Sequence, residues 1–226
     1  MSFDDAILAL SKDALKFVKD MHVIGLGSGR AATAFVNVLG QHIKQKKLNI
    51  RAVPTSLQIK LVAEKNGIHI IDSGQIHKID VVFDGADQID SKKNLIKGGG
   101  GALLRENILI SSADKVVIMA DSTKFAKYLN RPVPVEVHPF ARSTAKKFIE
   151  KLGGRPELRT IERGYPFITE NGNVIYDCDF GTIKAPKALA QKVKQIPGVL
   201  EVGIFTRKPD VIYMAKEKGK FDILSL

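Results

Sequence analysis

Residues 21–39 read MHVIGLGSGRAATAFVNVL, an apolar run followed by a glycine-rich turn and a helical pattern. The run at residues 21–25 predicts a strand, and the spacing of apolar residues from about 31 to 39 predicts a helix. Strands rich in Val and Ile that alternate with helices are typical of a parallel sheet covered by helices on both faces. This stretch therefore predicts the first βα unit of an open α/β sheet.

The same alternation continues to about residue 125. It predicts strands at 50–53, 68–72, 79–83 and 115–120, and helices at 56–66 and 102–111. A later apolar run at 210–215 can return to the same sheet. We therefore expect a Rossmann-like domain with an open, mostly parallel sheet, formed by residues 1–130 plus 207–226.

The character of the sequence changes near residue 131. The segment 131–137, RPVPVEV, contains two prolines, which suits a linker that runs into an edge strand. Beyond it, the sequence predicts helix 141–152, strand 157–161, a hairpin with Asn171-Gly172 as its turn, strand 174–177, helix 186–195 and strand 199–205. The order β-α-β-β-α-β is the ferredoxin-like pattern, so we expect residues 131–206 to form a second, smaller α+β domain.

The composition narrows the class of protein. The 226 residues are 44% hydrophobic and 26% charged, which excludes collagen-like and disordered chains. The single cysteine, Cys178, excludes intramolecular disulfides and cysteine-based metal clusters, and it suits a reducing compartment. No apolar run approaches the roughly 18 residues of a membrane-spanning helix. We therefore expect a cytoplasmic protein that is not bound to membranes.

The net charge of +11 raises the question of a nucleic-acid partner. The cations are mostly lysines dispersed in pairs and triplets, and the chain contains no tryptophan. Such lysines are typical of a solvated surface. Charge alone therefore leaves nucleic-acid binding open but does not favour it.

The turn at residues 25–30, GLGSGR, is a first candidate site. Backbone N–H groups at such a turn can bind a phosphate together with the N-terminus of the following helix. A dinucleotide fingerprint requires glycine where Arg30 stands, so a nicotinamide cofactor is disfavoured. A tight turn without a ligand explains this segment equally well.

Two further motifs carry titratable side chains. Asp84 and Asp87, in DGAD, follow an apolar strand, at the edge of the sheet where ligands bind in open α/β folds. Residues 97–106 read KGGGGALLRE, and four consecutive glycines lose much entropy on folding unless the backbone must approach a ligand closely. Lys97 and Glu106 flank this loop as a candidate electrophile and base. The alternative for Asp84 and Asp87 is that they only cap a turn, and the alternative for the loop is a flexible linker followed by a solvated glutamate.

Taken together, these residues resemble ribose-5-phosphate isomerase of the A type. The resemblance rests on GLGSG, the PTS of residues 54–56, DGAD, KGGGGALLRE, ADSTK, PVPVEV, KLGGRPELR, TENGNVI and IPGVLEVGIF, in the family's order over nearly the whole chain. It implies interconversion of ribose 5-phosphate and ribulose 5-phosphate through an enediolate, without a metal or organic cofactor. It also implies that the protein forms a homodimer or homotetramer and that its binding partner is a small-molecule sugar phosphate.

The resemblance also implies a role for each site residue. Glu106 is similar to the base that moves the proton between C1 and C2, and Asp84 to the aspartate that assists ring opening or hydroxyl proton transfer. Asp87 and Lys97 resemble the residues that hold hydroxyls and stabilise the oxyanion. The expected substrate contacts are Ser28, Gly29, Arg30, Ala31, Asp84, Gly85, Ala86, Asp87, Lys97, Gly98, Gly99, Gly100 and Lys124.

This chain departs from the family pattern in the turn. The family usually has Ser-Thr where this chain has Arg30-Ala31, and Ile7 stands where many members have a lysine that contacts phosphate. We therefore expect Arg30 to bind the phosphate through a charge-assisted fork. A non-catalytic phosphosugar sensor is the alternative function, although a sensor has no need of a base such as Glu106. Another sugar-phosphate isomerase or deaminase on this fold is the nearest enzymatic rival.

Overall fold

A computed structural model describes residues 3–75 and 78–225. Its helices are α1 (Asp4–Ala14), α2 (Arg30–Lys46), α3 (Leu57–Lys65), α4 (Leu103–Ser112), α5 (Arg142–Lys151) and α6 (Pro186–Lys194). Its strands are β1 (Val23–Leu26), β2 (Arg51–Pro54), β3 (His69–Ile70), β4 (Ile79–Asp84), β5 (Gln88–Ile89), β6 (Leu95–Ile96), β7 (Ala113–Asp121), β8 (Val133–Val137), β9 (Arg155–Leu158), β10 (Val174–Asp179), β11 (Val199–Val202), β12 (Ile204–Phe205), β13 (Val211–Ala215) and β14 (Phe221–Ser225). None of the described helices is both long and apolar enough to cross a membrane.

The chain forms two compact units. The first comprises Met1–Ala86, Arg105–Lys124 and Pro209–Leu226, and the second comprises Asp87–Leu104 and Phe125–Lys208. Our sequence-based division differs from this one, because it assigned residues 87–104, 125–130 and 207–208 to the Rossmann-like part. The glycine loop (residues 98–101) contacts Pro134 of β8, Ile175 of β10 and Arg159, which follows β9, and these contacts explain why this segment belongs to the second unit.

The first unit is built on the predicted parallel sheet. Its strand order is β14-β13-β7-β4-β1-β2-β3, and every neighbouring pair is parallel except β13 and β14. Helices α1 and α2 pack on the sheet around a core in which the rings of Phe35 and Phe83 stack with centroids 3.9 Å apart. The chain reverses its direction of travel across the sheet between β1 and β4. In open α/β folds, ligands bind beyond the carboxyl ends of the strands at such a point.

The second unit contains the predicted β-α-β-β-α-β order. Strands β8, β9, β10 and β11 form an antiparallel sheet in the order β11-β8-β10-β9, with α5 and α6 between strands in the chain. The core beneath this sheet includes Val135, Ile149, Cys178 and Val193, all fully buried. The fold class expected from the sequence is confirmed: a mostly parallel α/β sheet with a smaller α+β unit.

Two predictions about individual strands are wrong. The proline-containing strand β8 is not an edge strand, because it pairs with both β10 and β11. Its prolines are tolerated because Pro132 precedes the strand and Pro134 lies near its start, beyond the last β11 partner at Val135.

The run at 199–205 is not one strand either. The chain leaves the sheet of β11 at Gly203, and β12 then joins a small sheet in the order β12-β6-β5. A side chain at position 203 would place its Cβ 2.4 Å from the carbonyl oxygen of Lys97, so this crossing requires glycine.

Candidate functional site

Asp84 is the last residue of β4, at the carboxyl end of that strand in the first unit. Its side chain is fully buried, and Oδ1 accepts a hydrogen bond of 2.7 Å from the backbone N–H of Gly85. The turn after β1 closely approaches this carboxylate, because a Cβ on Gly27 would lie 2.0 Å from Asp84 Oδ1. The absence of a side chain at Gly27 therefore allows the carboxylate to lie against the turn.

Glu106 lies in the first turn of α4 and is only 5% exposed. Leu109 lies one turn further along the same face of the helix and packs on the sheet. A Cβ added to Gly25 of β1 would lie 3.4 Å from Leu109 and 2.5 Å from Val82 of β4. Helix α4 leads into β7, which is parallel to β4, so its N-terminal turn lies at the carboxyl edge of the sheet. The buried carboxylates of Asp84 and Glu106 thus lie at the same edge of the sheet of the first unit.

Residues 27–29 form the turn between β1 and α2. The hydroxyl of Ser28 is hydrogen-bonded to Thr55 Oγ1 at 2.8 Å and to Ser56 Oγ at 2.6 Å, both just after β2. Gly29 has a φ of 92°, in the left-handed region that favours glycine. The helix then begins with Arg30 and Ala31, so N–H groups at the start of α2 point towards this edge of the sheet.

Arg30 has an acidic partner that our reading of the sequence did not identify. Its Nη2 lies 3.2 Å from Asp121 Oδ2, while 60% of the Arg30 side chain remains exposed. Asp121 is the last residue of β7 and also accepts a hydrogen bond of 3.1 Å from the N–H of Thr123. Lys124, half-buried, follows in a short 3-10 turn. The motif ADSTK signals this turn, but the pairing with Arg30 depends on the order of the strands.

The glycine loop belongs to the second unit, together with Asp87. The N–H of Gly99 donates a hydrogen bond of 2.8 Å to Asp87 Oδ2, and a Cβ on Gly99 would lie 2.8 Å from Asp87 Oδ1. The loop closes as a turn in which Gly101 N–H donates to the carbonyl of Gly98 at 3.0 Å. Gly98 and Gly101 have φ values of 102° and 83°, so two of the four glycines are required by the backbone conformation.

Lys97 precedes this loop and is 3% exposed. Its backbone N–H donates to Gly203 at 3.0 Å, and its ammonium lies 5.9 Å from the centroid of the Phe205 ring. Such a buried, fixed cation can stabilise negative charge more strongly than a lysine in water. Gly99 and Gly100 are exposed, so their backbone groups are accessible.

Within each unit, the structure brings together some of the site residues that the sequence predicts. In the first, the Gly27 turn lies against Asp84, and Gly85 and Ala86 follow it, half-buried. In the second, Asp87 is tied to the glycine loop. Carboxylates, a buried cation and N–H donors are the groups needed to move a proton next to a carbonyl and to stabilise the resulting anion.

Comparison with known proteins identifies the family. The model of the family Ribose 5-phosphate isomerase A (phosphoriboisomerase A) matches residues 51–219. Ribose-5-phosphate isomerase A of Haloarcula marismortui is 43% identical over 217 residues, which cover 96% of this chain and 94% of that protein. The corresponding protein of Archaeoglobus fulgidus is 44% identical over 201 residues, covering 88% of this chain and 89% of its own length.

Solved structures agree. Ribose 5-phosphate isomerase A from Methanocaldococcus jannaschii superposes with a TM-score of 0.93 at 36% identity, covering 100% of both chains. A D-ribose-5-phosphate isomerase in complex with phospho-erythronic acid superposes with a TM-score of 0.94 at 36% identity, again over 100% of both chains. This chain therefore belongs to the ribose 5-phosphate isomerase A family.

Proposed function

We propose that this chain interconverts D-ribose 5-phosphate and D-ribulose 5-phosphate through an enediolate, with Glu106 as the base. The observation that supports this proposal is the burial of the Asp84 and Glu106 carboxylates at the carboxyl edge of the sheet in a member of this isomerase family. The sensor alternative is not favoured, since the curated relatives are enzymes by name.

Glu106 moves the carbon-bound proton. In the open-chain aldose, its carboxylate removes the proton from C2, the C–H electron pair forms the C1–C2 double bond, and the carbonyl pair moves to O1. The same carboxyl then returns the proton to C1, while O2 becomes the carbonyl oxygen of the ketose. The burial of Glu106 excludes water that would compete for this proton.

Asp84 handles the oxygen-bound proton. For the enediolate to become the ketose, the proton on O2 must leave and O1 must gain one, and a fixed carboxylate can carry out this exchange. Asp84 also assists the opening of the furanose ring, in which the anomeric hydroxyl O1 loses its proton and the ring oxygen O4 gains one as the C1–O4 bond breaks. Its hydrogen bond from Gly85 fixes Oδ1 and holds the carboxylate in one orientation.

The negative charge of the enediolate requires a preorganised environment. Lys97 stabilises the charge on O1 through its ammonium, and Asp87 holds a hydroxyl of the substrate. The backbone of Gly98, Gly99 and Gly100 supplies further polar contacts. Removing one such donor typically costs about 10²-fold or more in rate.

The phosphate binds at the start of α2. The N–H groups of residues 28–31 and the positive end of the helix dipole suit a dianion. Arg30 supplies a forked cation in place of the two hydroxyls that the family pattern would provide, and Lys124 adds a second cation. The ion pair with Asp121 keeps the Arg30 guanidinium near this turn.

The assembly and location of the protein are also part of the proposal. We expect a homodimer or homotetramer in the cytoplasm, since the resemblance to the family implies self-association and the lone Cys178 suits a reducing compartment. Light scattering on the purified protein measures the first property directly.

The decisive experiment measures ribulose 5-phosphate formation from ribose 5-phosphate in the presence of EDTA. The native protein should turn over, and Glu106→Gln should lower kcat by about 10² to 10⁴-fold. Glu64→Gln is the matched control, because that residue is an exposed glutamate on α3 of the same unit. No turnover by folded native protein, or full activity of Glu106→Gln, would contradict the proposal.

A further inference from the structure

The guanidinium of Arg159, the residue that follows β9, connects Asp177 of β10 to the glycine loop. Its Nε and Nη2 donate to the two carboxylate oxygens of Asp177 at 2.8 and 2.5 Å, which is a bidentate pair. Its Nη1 donates to the carbonyl oxygens of Gly98 and Gly99 at 2.9 and 3.1 Å. One side chain thus holds two successive peptide groups of a loop that has no side chains of its own.

These contacts orient the N–H groups of the loop. A trans peptide places its C=O and N–H in opposite directions, so each carbonyl bound by Arg159 turns the next N–H away from the guanidinium. The N–H of Gly99 accordingly points to Asp87 Oδ2. The N–H of Gly100 is turned away from the guanidinium for the same reason. The space beside Gly100 is open, since a Cβ added there would meet nothing within 4 Å.

Arg159 is itself firmly held. Its side chain is only 15% exposed, and its backbone N–H donates to Ile175 at 2.8 Å. The Phe167 ring lies 5.7 Å from the guanidinium carbon and also packs against the loop, since a Cβ on Gly101 would lie 2.5 Å from that ring. The loop is therefore fixed from two sides by residues that follow it by some sixty positions in the chain.

We propose that Arg159, oriented by Asp177, is a positioning residue of the isomerase: it sets the direction of the Gly99 and Gly100 N–H groups and, through Gly99, the orientation of Asp87. This inference rests on the proposed function of the loop. Four glycines have too much conformational freedom to hold such a geometry alone. Misplacing substrate-contacting groups by about 1 Å can cost about 10²-fold in rate.

The same two strands provide a matched control. Arg155 of β9 forms an ion pair with Asp179 of β10, much as Arg159, beyond the end of β9, does with Asp177. The Arg155 side chain differs in being 79% exposed. Arg159→Gln should lower kcat/KM for ribose 5-phosphate by about 10- to 100-fold, whereas Arg155→Gln should leave it unchanged. Arg159→Lys retains the charge but not the fork, and it should recover only part of the loss.

A second measurement reports on the loop without catalysis. Hydrogen exchange of the Gly99 amide, followed by NMR in the free protein, should accelerate about tenfold in Arg159→Gln and remain native-like in Arg155→Gln. This readout separates loop positioning from a general loss of stability, because amides in β8 and β10 serve as internal references.

The outcomes distinguish the two proposals. If the native protein turns over but Arg159→Gln and Arg155→Gln have equal kcat/KM, the positioning role is wrong and the proposed function stands. If the native protein does not turn over, the proposed function fails, and with it the catalytic consequence of Arg159. Unchanged exchange of the Gly99 amide would by itself overturn the claim that Arg159 sets the loop. Should Arg159→Gln not fold, Arg159→Lys and Asp177→Asn provide the same comparison.

Discussion

The two units of the molecule present their polar groups by opposite means. In the first unit, the backbone holds side chains: Asp84 and Glu106 are placed by the end of a parallel strand and the first turn of a helix. In the second unit, side chains hold the backbone: Asp87, Arg159 and Phe167 fix a loop of glycines.

This difference predicts how each unit responds to change. The position of a carboxylate at the edge of a buried sheet is sensitive to atoms added beside it, because closely packed strands cannot move to make room. A loop fixed by hydrogen bonds to side chains can shift by a few tenths of an ångström at small cost in stability. Its function depends on the side chains that hold it, of which Arg159 is distant in the sequence.

Adding one methyl group to a glycine of each unit compares them directly. Gly27→Ala puts a Cβ 2.0 Å from Oδ1 and 2.6 Å from Cβ of Asp84, so the whole carboxylate must move. We expect kcat/KM to fall by about 100-fold and the free energy of unfolding by about 1–3 kcal/mol.

Gly99→Ala is the counterpart in the second unit. Its Cβ meets the end of the Asp87 side chain at 2.8 Å, in an exposed loop, so we expect about a tenfold loss of kcat/KM with almost unchanged stability. Steady-state kinetics and urea denaturation of both variants measure these effects. Equal losses of stability in the two variants would contradict the comparison.

The second unit also contains a buried network whose removal should destabilise that unit. Glu136, on β8, is fully buried, and its Oε1 accepts hydrogen bonds from Thr169 (2.9 Å), Asn171 (3.0 Å) and Asn173 (2.8 Å). Glu136→Ala leaves these donors without that acceptor and should lower the free energy of unfolding by about 3 kcal/mol.

Glu136→Gln is the control for this prediction, because its amide oxygen preserves an acceptor at the same place. We expect it to lose about 1 kcal/mol. Urea denaturation gives both values, and hydrogen exchange should show lost protection in β8 and β10 with little change in β1 and β4. Equal stability of the alanine and glutamine variants would show that the three hydrogen bonds contribute nothing.

Much of the first unit follows from sequence because its signals are local. Runs of Val and Ile predict β1, β4 and β7, and the glycine turn marks the start of α2 close to its observed first residue, Arg30. Strands β5 and β6 have only two residues each, too short to show a periodicity, and β14 was not predicted. The split at Gly203 depends on the proximity of Lys97, which no local pattern reveals.

The candidate site also combines features that local motifs predict with contacts that they do not. The DGAD and KGGGGALLRE motifs identify Asp84, Asp87, Lys97 and Glu106 as candidates, and their catalytic roles stay predictions. The contacts of Arg159 with Gly98 and Gly99 span about sixty residues and are set by the register of β9 and β10. A sequence motif such as KLGGRPELR identifies the segment but not the atoms that it contacts.

Arg30 tests whether the first unit relies on a side chain where the family pattern relies on hydroxyls. Arg30→Ser removes the guanidinium and restores one hydroxyl, and KM for ribose 5-phosphate should rise about tenfold with a smaller change in kcat. Arg51→Ser removes an exposed cation at the amino end of β2 in the same unit and should leave KM unchanged. An unchanged or lower KM in Arg30→Ser would exclude this residue from phosphate binding.

The smallest expected effect concerns an ionic contact of the first unit outside the proposed site. The Tyr213 hydroxyl and the Lys16 ammonium both donate to Asp13. Burial acts to raise the pKa of Asp13, but the hydrogen bonds from Lys16 and Tyr213 outweigh it and bring the pKa below its ordinary value of 3.8. A carboxyl whose pKa is lower in the folded state stabilises the protein above the ordinary pKa, and that contribution disappears as the pH falls through the folded-state value.

Asp13→Asn should therefore lower Tm by about 1–3 °C at pH 7, and the difference from the native protein should shrink as the pH falls below 3.8 and through the lowered pKa of Asp13. Tyr213→Phe removes one donor, so the double variant should lose less than the sum of the single losses. Asp5→Asn, which changes an exposed carboxyl on the same helix, is the matched control for this comparison. A Tm difference that persists undiminished into acid would show that Asp13 acts through packing rather than charge, and the first unit would then have no acid-sensitive contact at this position.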